Sequence, residues 1–175
     1  ETAVYNQALA TVTAAVEEQR PYITEQVTAA IRGEVLTQVT NAVQEQVKAQ
    51  VTEAVRENVE AQVIYSALNM DKESYEAAVA SGTIDEATQA AITEQIETQM
   101  QSAEVLQLID KNTAEQMATE PVQTTIAENV EAQMQSEDIR NLIATNTELQ
   151  VQKAISENMA SDAVQSQLAA ASEGA

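Results

Sequence analysis

From Ile23 to Val63 a β-branched apolar residue stands at every fourth position: Ile23, Val27, Ile31, Val35, Val39, Val43, Val47, Val51, Val55, Val59 and Val63. A helix advances about 100° per residue, so each of these side chains lies about 40° past its predecessor. The stripe they form is a right-handed spiral that goes about once around the helix axis. A left-handed coiled coil needs a spacing of about 3.5 and a mild right-handed coil about 3.67, so a spacing of four overshoots both. A single straight partner could follow the stripe for only about three or four valines.

Two arrangements satisfy such a stripe. Several short helices can take turns against the long one, or Ala29, Ala30, Leu36, Ala42, Ala49, Ala54 and Ala61 can broaden the seam so that one partner need not track it. The first is expected, because the second half of the chain is written as short helices. Valine loses rotamer freedom in a helix, so its repeated use implies selection by packing; the bland alternative leaves some valines exposed.

The whole chain reads as all-α. Glycine occurs three times and proline twice, no alternating strand pattern is sustained, and Ala, Glu, Gln and Val fill the intervals. A first helix is expected over residues 2 to 19. Pro21 then either kinks it or occupies the first turn of the next, placing a boundary near Arg20. From about residue 22 to 68 only Gly33 interrupts, at a tolerable cost, so one helix on the order of 70 Å long is predicted. Residues 71–83 read as a turn region, with Asp71 an N-cap, Ser81-Gly82 a helix stop and Thr83-x-x-Glu86 a capping box.

Residues 84–175 carry a repeat. IETQMQSAEVLQLI, VEAQMQSEDIRNLI and ISENMASDAVQSQL share Met-x-Ser with an apolar residue three positions after the serine. Ser102, Ser136 and Ser161, each followed by acidic residues, have the form of helix N-termini. The copies lie 34 and then 25 residues apart, and the Trp, Gly, Tyr and Pro positions of tetratricopeptide repeats are missing. The phrase ENVEAQV of the long helix returns as ENVEAQM at 128–134. The expectation is one elongated helical bundle or stalk: residues 1–70 as the N-terminal and long helices, and 84–175 as serine-capped helices packing back on the long one.

Chemistry is constrained by what the chain contains. A formal charge of −20 disfavours nucleic acid and anionic membranes as partners. Histidine and cysteine are absent, which removes the usual proton shuttle and the soft metal ligands. Adjacent acids such as Glu17 and Glu18, or Glu137 and Asp138, serve solubility at this density. Asp71, Glu73 and Glu76 cluster but lack the EF-hand pattern, and a cap is the better reading. Met100, Met134 and Met159 share the helical phase of Ile96, Val130 and Ile155, which places them in the core before any adaptable groove. Tyr5, Tyr22, Tyr65 and Tyr75 stand near helix ends or turns, with packing their expected role. No catalytic, cofactor-binding or metal residue is expected, and no cofactor.

The run NVEAQMQSEDIRNLIATNTELQVQKAISENMASDAVQSQLAAASEGA resembles the extracellular helical region of bacterial phage infection proteins, the Pip/YhgE family. Members are membrane proteins with a large helical segment outside the cell, some serving as phage receptors or accompanying type VII secretion. The resemblance covers roughly the second half; the Leu-x-x-Gly repeats frequent in such regions and the family's membrane segments do not occur here. It implies a non-catalytic stalk or interaction domain on the bacterial surface, a fragment anchored by membrane segments outside it. Its partners would be proteins, phage or secretion components among them, with self-association into a homo-oligomer left open. The rival reading is a lipid-associated amphipathic bundle.

Overall fold

The computed structural model describes residues 2–174. In chain order the helices are α1 (Thr2–Glu18), α2 (Arg20–Leu68), α3 (Lys72–Ala80), α4 (Glu86–Met100), α5 (Ala103–Met117), α6 (Glu120–Met134), α7 (Glu137–Met159) and α8 (Asp162–Glu173). No strand occurs among the described residues, and the fold is a bundle in which one long helix packs against shorter ones.

Helix α2 runs unbroken for 49 residues, with Pro21 in its first turn, where a missing N–H costs no hydrogen bond. Gly33 lies inside it with open space where a Cβ would be. The helix ends where Asn69 takes a left-handed conformation (φ 53°), which asparagine tolerates better than most residues. Its burial pattern is the period of four. From Ile31 to Val63 every fourth residue is buried, Ile64 joins them, and Ile23 and Val27 are half-buried. The seven residues that would have broadened the seam, Ala29 through Ala61, are all exposed. Short helices taking turns is therefore the arrangement adopted.

The turn region proves to hold α3, which Asp71 caps by accepting the Ser74 N–H at 2.7 Å. It stops at Ser81 and Gly82, whose φ of 76° suits glycine. The next cap is not Thr83, as the capping-box reading has it. Asp85 accepts the Thr88 N–H at 2.7 Å, and the Thr83 hydroxyl instead meets that of Ser81.

The chain divides into two compact units. One is Glu1–Gln38 with Ala127–Ala175, the other Val39–Ile126. In the first, the helix is interrupted at Gln19, and α1 packs on α7 and α8. Val16, Val151, Ile155 and Met159 form a buried cluster there, with Leu9, Val12, Ile23 and Val164 against it. In the second, Val39 to Val63 are buried together with Ile92, Ile96, Met100, Ile109 and Ile126, and α4 packs against α5.

The junctions between short helices follow one design. Ser102, Ser136 and Ser161 each stand in extended backbone and accept an N–H three residues on, as the sequence predicts. Thr119 occupies the same place before α6, and its hydroxyl donates to Gln116 O as Ser102 and Ser136 donate to Gln99 O and Gln133 O. A glutamine four residues past the cap locks several junctions: Gln123 donates to Met117 O and Gln165 to Met159 O. One extended residue per junction bends the chain; the returning bonds fix the bend.

Candidate functional site

The residues singled out for chemistry are dispersed. Glu17 is bound to Arg20, whose Nε donates at 2.6 Å, and this hydrogen bond holds the Glu17 carboxyl below the usual carboxylate range. Glu18 is exposed and apart. Glu137 and Asp138 lie in the first turn of α7, where negative charge complements the helix dipole. Asp71 is a cap, its carboxyl held low by the Ser74 hydrogen bonds, and Glu73 is in the first turn of α3. Among the described residues no group of three or more Asp or Glu is placed to hold a metal ion. Met100, Met134 and Met159 are buried, as core residues should be, while Tyr5, Tyr22 and Tyr65 are exposed, against the packing role expected of them.

What the structure does bring together is opposite charge across the helices. Within the first unit Arg20 of α2 pairs with Glu148 of α7 at 3.0 Å, and Arg32 with Glu131 of α6. Within the second, Arg56 pairs with Glu97 of α4 at 2.7 Å, Lys48 with Asp110 of α5 at 3.7 Å, and Lys72 of α3 with Glu60 of α2 at 2.7 Å. Five of the eight basic residues thus reach from one helix to another, and with twenty-eight acidic residues in the chain the surface is overwhelmingly acidic. The Arg56 hydrogen bond holds Glu97 below the usual range. Glu148 is lowered first by Gln152 and then by Arg20. The pairs are exposed or half-buried and each contributes little alone; their value is in selecting which helix face meets which.

A groove of about 450 Å³ lies in the first unit, between the start of α2 and the second half of α7. It is lined by Tyr22, Ile23, Val27, Ala30 and Ala154 together with Lys153 and Glu157, with Ile23 and Val27 half-buried and Tyr22 and Ala30 exposed. This is where the stripe is least covered, which is why Ile23 and Val27 are half-buried. The groove offers apolar contact flanked by amide and charged groups, with no nucleophile beside a base. Sequence reading did not single it out, because the four-residue stripe looks the same at Ile23 as at Val51.

No helix among the described residues is long and apolar enough to cross a membrane. Comparison with family models, with curated proteins and with solved structures returned no match.

Proposed function

We propose that this chain is a non-catalytic helical spacer and protein-interaction segment from the outside of a bacterial cell, comparable to the extracellular region of phage infection proteins. The observation that carries the reading is α2: 49 continuous residues whose buried side chains occupy only one position in four, leaving the rest to a polar and acidic surface. Such a helix commits its isoleucine and valine stripe to holding shape, and the wide face outside the stripe carries its polar and acidic residues with exposed alanines, Leu36, Tyr22 and Tyr65 among them. The acidic surface selects proteins with basic or neutral faces over anionic polymers. The burial of the valine stripe also counts against the rival lipid-associated bundle, which needs an apolar face free for the interface.

Two measurements test this. Antibodies against the purified chain should label intact source cells, with a cytoplasmic protein as the leakage control; labelling seen only after permeabilisation overturns the surface reading. In flotation with neutral phosphatidylcholine vesicles the chain should stay with the soluble fraction, and robust co-flotation would favour the lipid reading instead.

A further inference from the structure

Two repeats of unequal length run through this protein. Written from Arg20, α2 is four lines of twelve: RPYITEQVTAAI, RGEVLTQVTNAV, QEQVKAQVTEAV and RENVEAQVIYSA. The fourth column holds Ile23, Val35, Val47 and Val59, the eighth Val27, Val39, Val51 and Val63, and the seventh is glutamine throughout. Written from the caps, residues 85–152 are four lines of seventeen: DEATQAAITEQIETQMQ, SAEVLQLIDKNTAEQMA, TEPVQTTIAENVEAQMQ and SEDIRNLIATNTELQVQ. Their eighth column is always isoleucine, and every residue of the twelfth column, Ile96, Thr113, Val130 and Thr147, is buried.

The ion pairs connect the two repeats by column. Arg20, Arg32 and Arg56 all stand in the first column of twelve; Glu148, Glu131 and Glu97, their partners, all stand in the thirteenth column of seventeen. The remaining α2 line begins with Gln44, and the remaining capped line has Ala114 in its thirteenth column. The charge is missing from both members of that line pair together. Twelve residues of α2 thus correspond to seventeen of the capped series, line for line, in opposite order.

Helix geometry accounts for the ratio. Twelve residues of α2 rise about 18 Å, and at about 40° per valine the stripe turns by about 120° in three steps. A helix packed about 9.5 Å from the α2 axis must therefore cover about 20 Å of arc while climbing about 18 Å, a path of about 27 Å. Fifteen helical residues at about 1.5 Å each and a two-residue junction of about 3 Å per residue supply about 28 Å. The path lies about 50° from the α2 axis, the crossing angle at which the four-residue ridges of two helices interlock. The bend at each cap then re-aims the next helix along the turned stripe.

We infer that one twelve-residue line of α2 and one seventeen-residue capped helix form a single paired unit, so that the fold can lengthen or shorten only by whole pairs. This goes beyond the spacer reading and does not depend on it; in a spacer it would make the length of the central helix adjustable in steps of about 18 Å. The series ends where its rule fails: the next cap position after Ser136 falls on Lys153, which cannot cap, and α7 runs straight on through Val151, Ile155 and Met159 as the seat for α1.

The test removes residues 44–55, residues 102–118, or both, from the full chain. Both deletions lie within the second unit and keep all three arginine–glutamate pairs in the sequence. The paired deletion should keep the parent's oligomeric state and fractional helicity, with one cooperative melt by circular dichroism. Each single deletion, forced out of line, should melt at least about 10 °C below it. If the paired deletion removes too much to fold, the same comparison is made by duplicating the two segments, together and singly. Paired duplication melting above both single duplications supports the inference. Single variants as stable as the paired ones, in deletion and duplication alike, overturn it.

Discussion

Truncation of Val51 to alanine is the sharpest probe of the valine stripe. The side chain is 4% exposed, and losing two methyl groups forfeits about 1.6 kcal/mol of transfer free energy. The space left behind adds about 1 kcal/mol, because the neighbouring helices relax only in part. Alanine is the better helix former and offsets about 0.5 kcal/mol of this. The net destabilisation is about 2 kcal/mol, a fall in melting temperature of about 4–8 °C for a chain of this size. The decisive form is a scan by thermal circular dichroism: alanine at Val47, Val51, Val55 and Val59 should each cost this much, while alanine at the exposed Lys48, Gln50, Glu53 and Asn58 should change stability by less than about 0.5 kcal/mol. A seam spaced like a coiled coil would instead place a large cost at Asn58 and spare Val59. That result, or a flat profile, would refute the four-residue packing.

Four further outcomes are expected. The Thr147 hydroxyl is buried without a hydrogen-bond partner, so Thr147→Val should raise the melting temperature, by the equivalent of about 1 kcal/mol, whereas Thr113→Val, which gives up the bond to Ile109 O, should gain less. Gly33→Ala should stabilise by about 0.5–1 kcal/mol, since the site is helical and open, while Gly82→Ala should cost about 1 kcal/mol because alanine is strained at that positive φ. Ser136→Ala should cost about 1 kcal/mol through the lost cap on Ile139 N–H, read by chemical denaturation. The lowered carboxyl of Glu97 takes up protons more readily in the unfolded chain, so its contribution is complete above the usual carboxylate range and is lost as pH falls through its folded value. Melts between about pH 6 and pH 3 should therefore show a smaller acid loss in Glu97→Gln than in the parent, and equal losses would mean the Arg56 pair is not formed in solution.

The parts of this fold legible in the sequence are those written locally. The α2 stripe, the Asp71 cap and the Ser102, Ser136 and Ser161 caps each depend on residues within a turn of one another, and all stand where read. Asp85 is obscured by Thr83, two residues earlier and at capping-box spacing from Glu86, and Thr119 by not being serine. Because Met117-Ala-Thr119 departs from the Met-x-Ser phrase, a seventeen-residue series reads as copies 34 apart, although Met100, Met117 and Met134 are evenly spaced. The interhelical charge pairs lie beyond any local window: Arg32 and Glu131 are 99 residues apart, and one charge among twenty-eight acids carries no mark of its partner until the two repeats are aligned. The packing of α1 on α7 is hidden for a like reason, since Val12 and Val16 repeat the phrase of α2 and do not declare a different seat.

The one-in-four core of α2 also has a consequence for descent. Three positions in every four on that helix face water, and substitutions there that keep helix formers cost almost nothing, so most of its sequence is free to drift under weak purifying selection. Identity between diverging copies should then decay toward the level set by composition long before the backbone changes. Kinship among such chains is better sought in the spacing of valines, caps and arginines than in the letters between them.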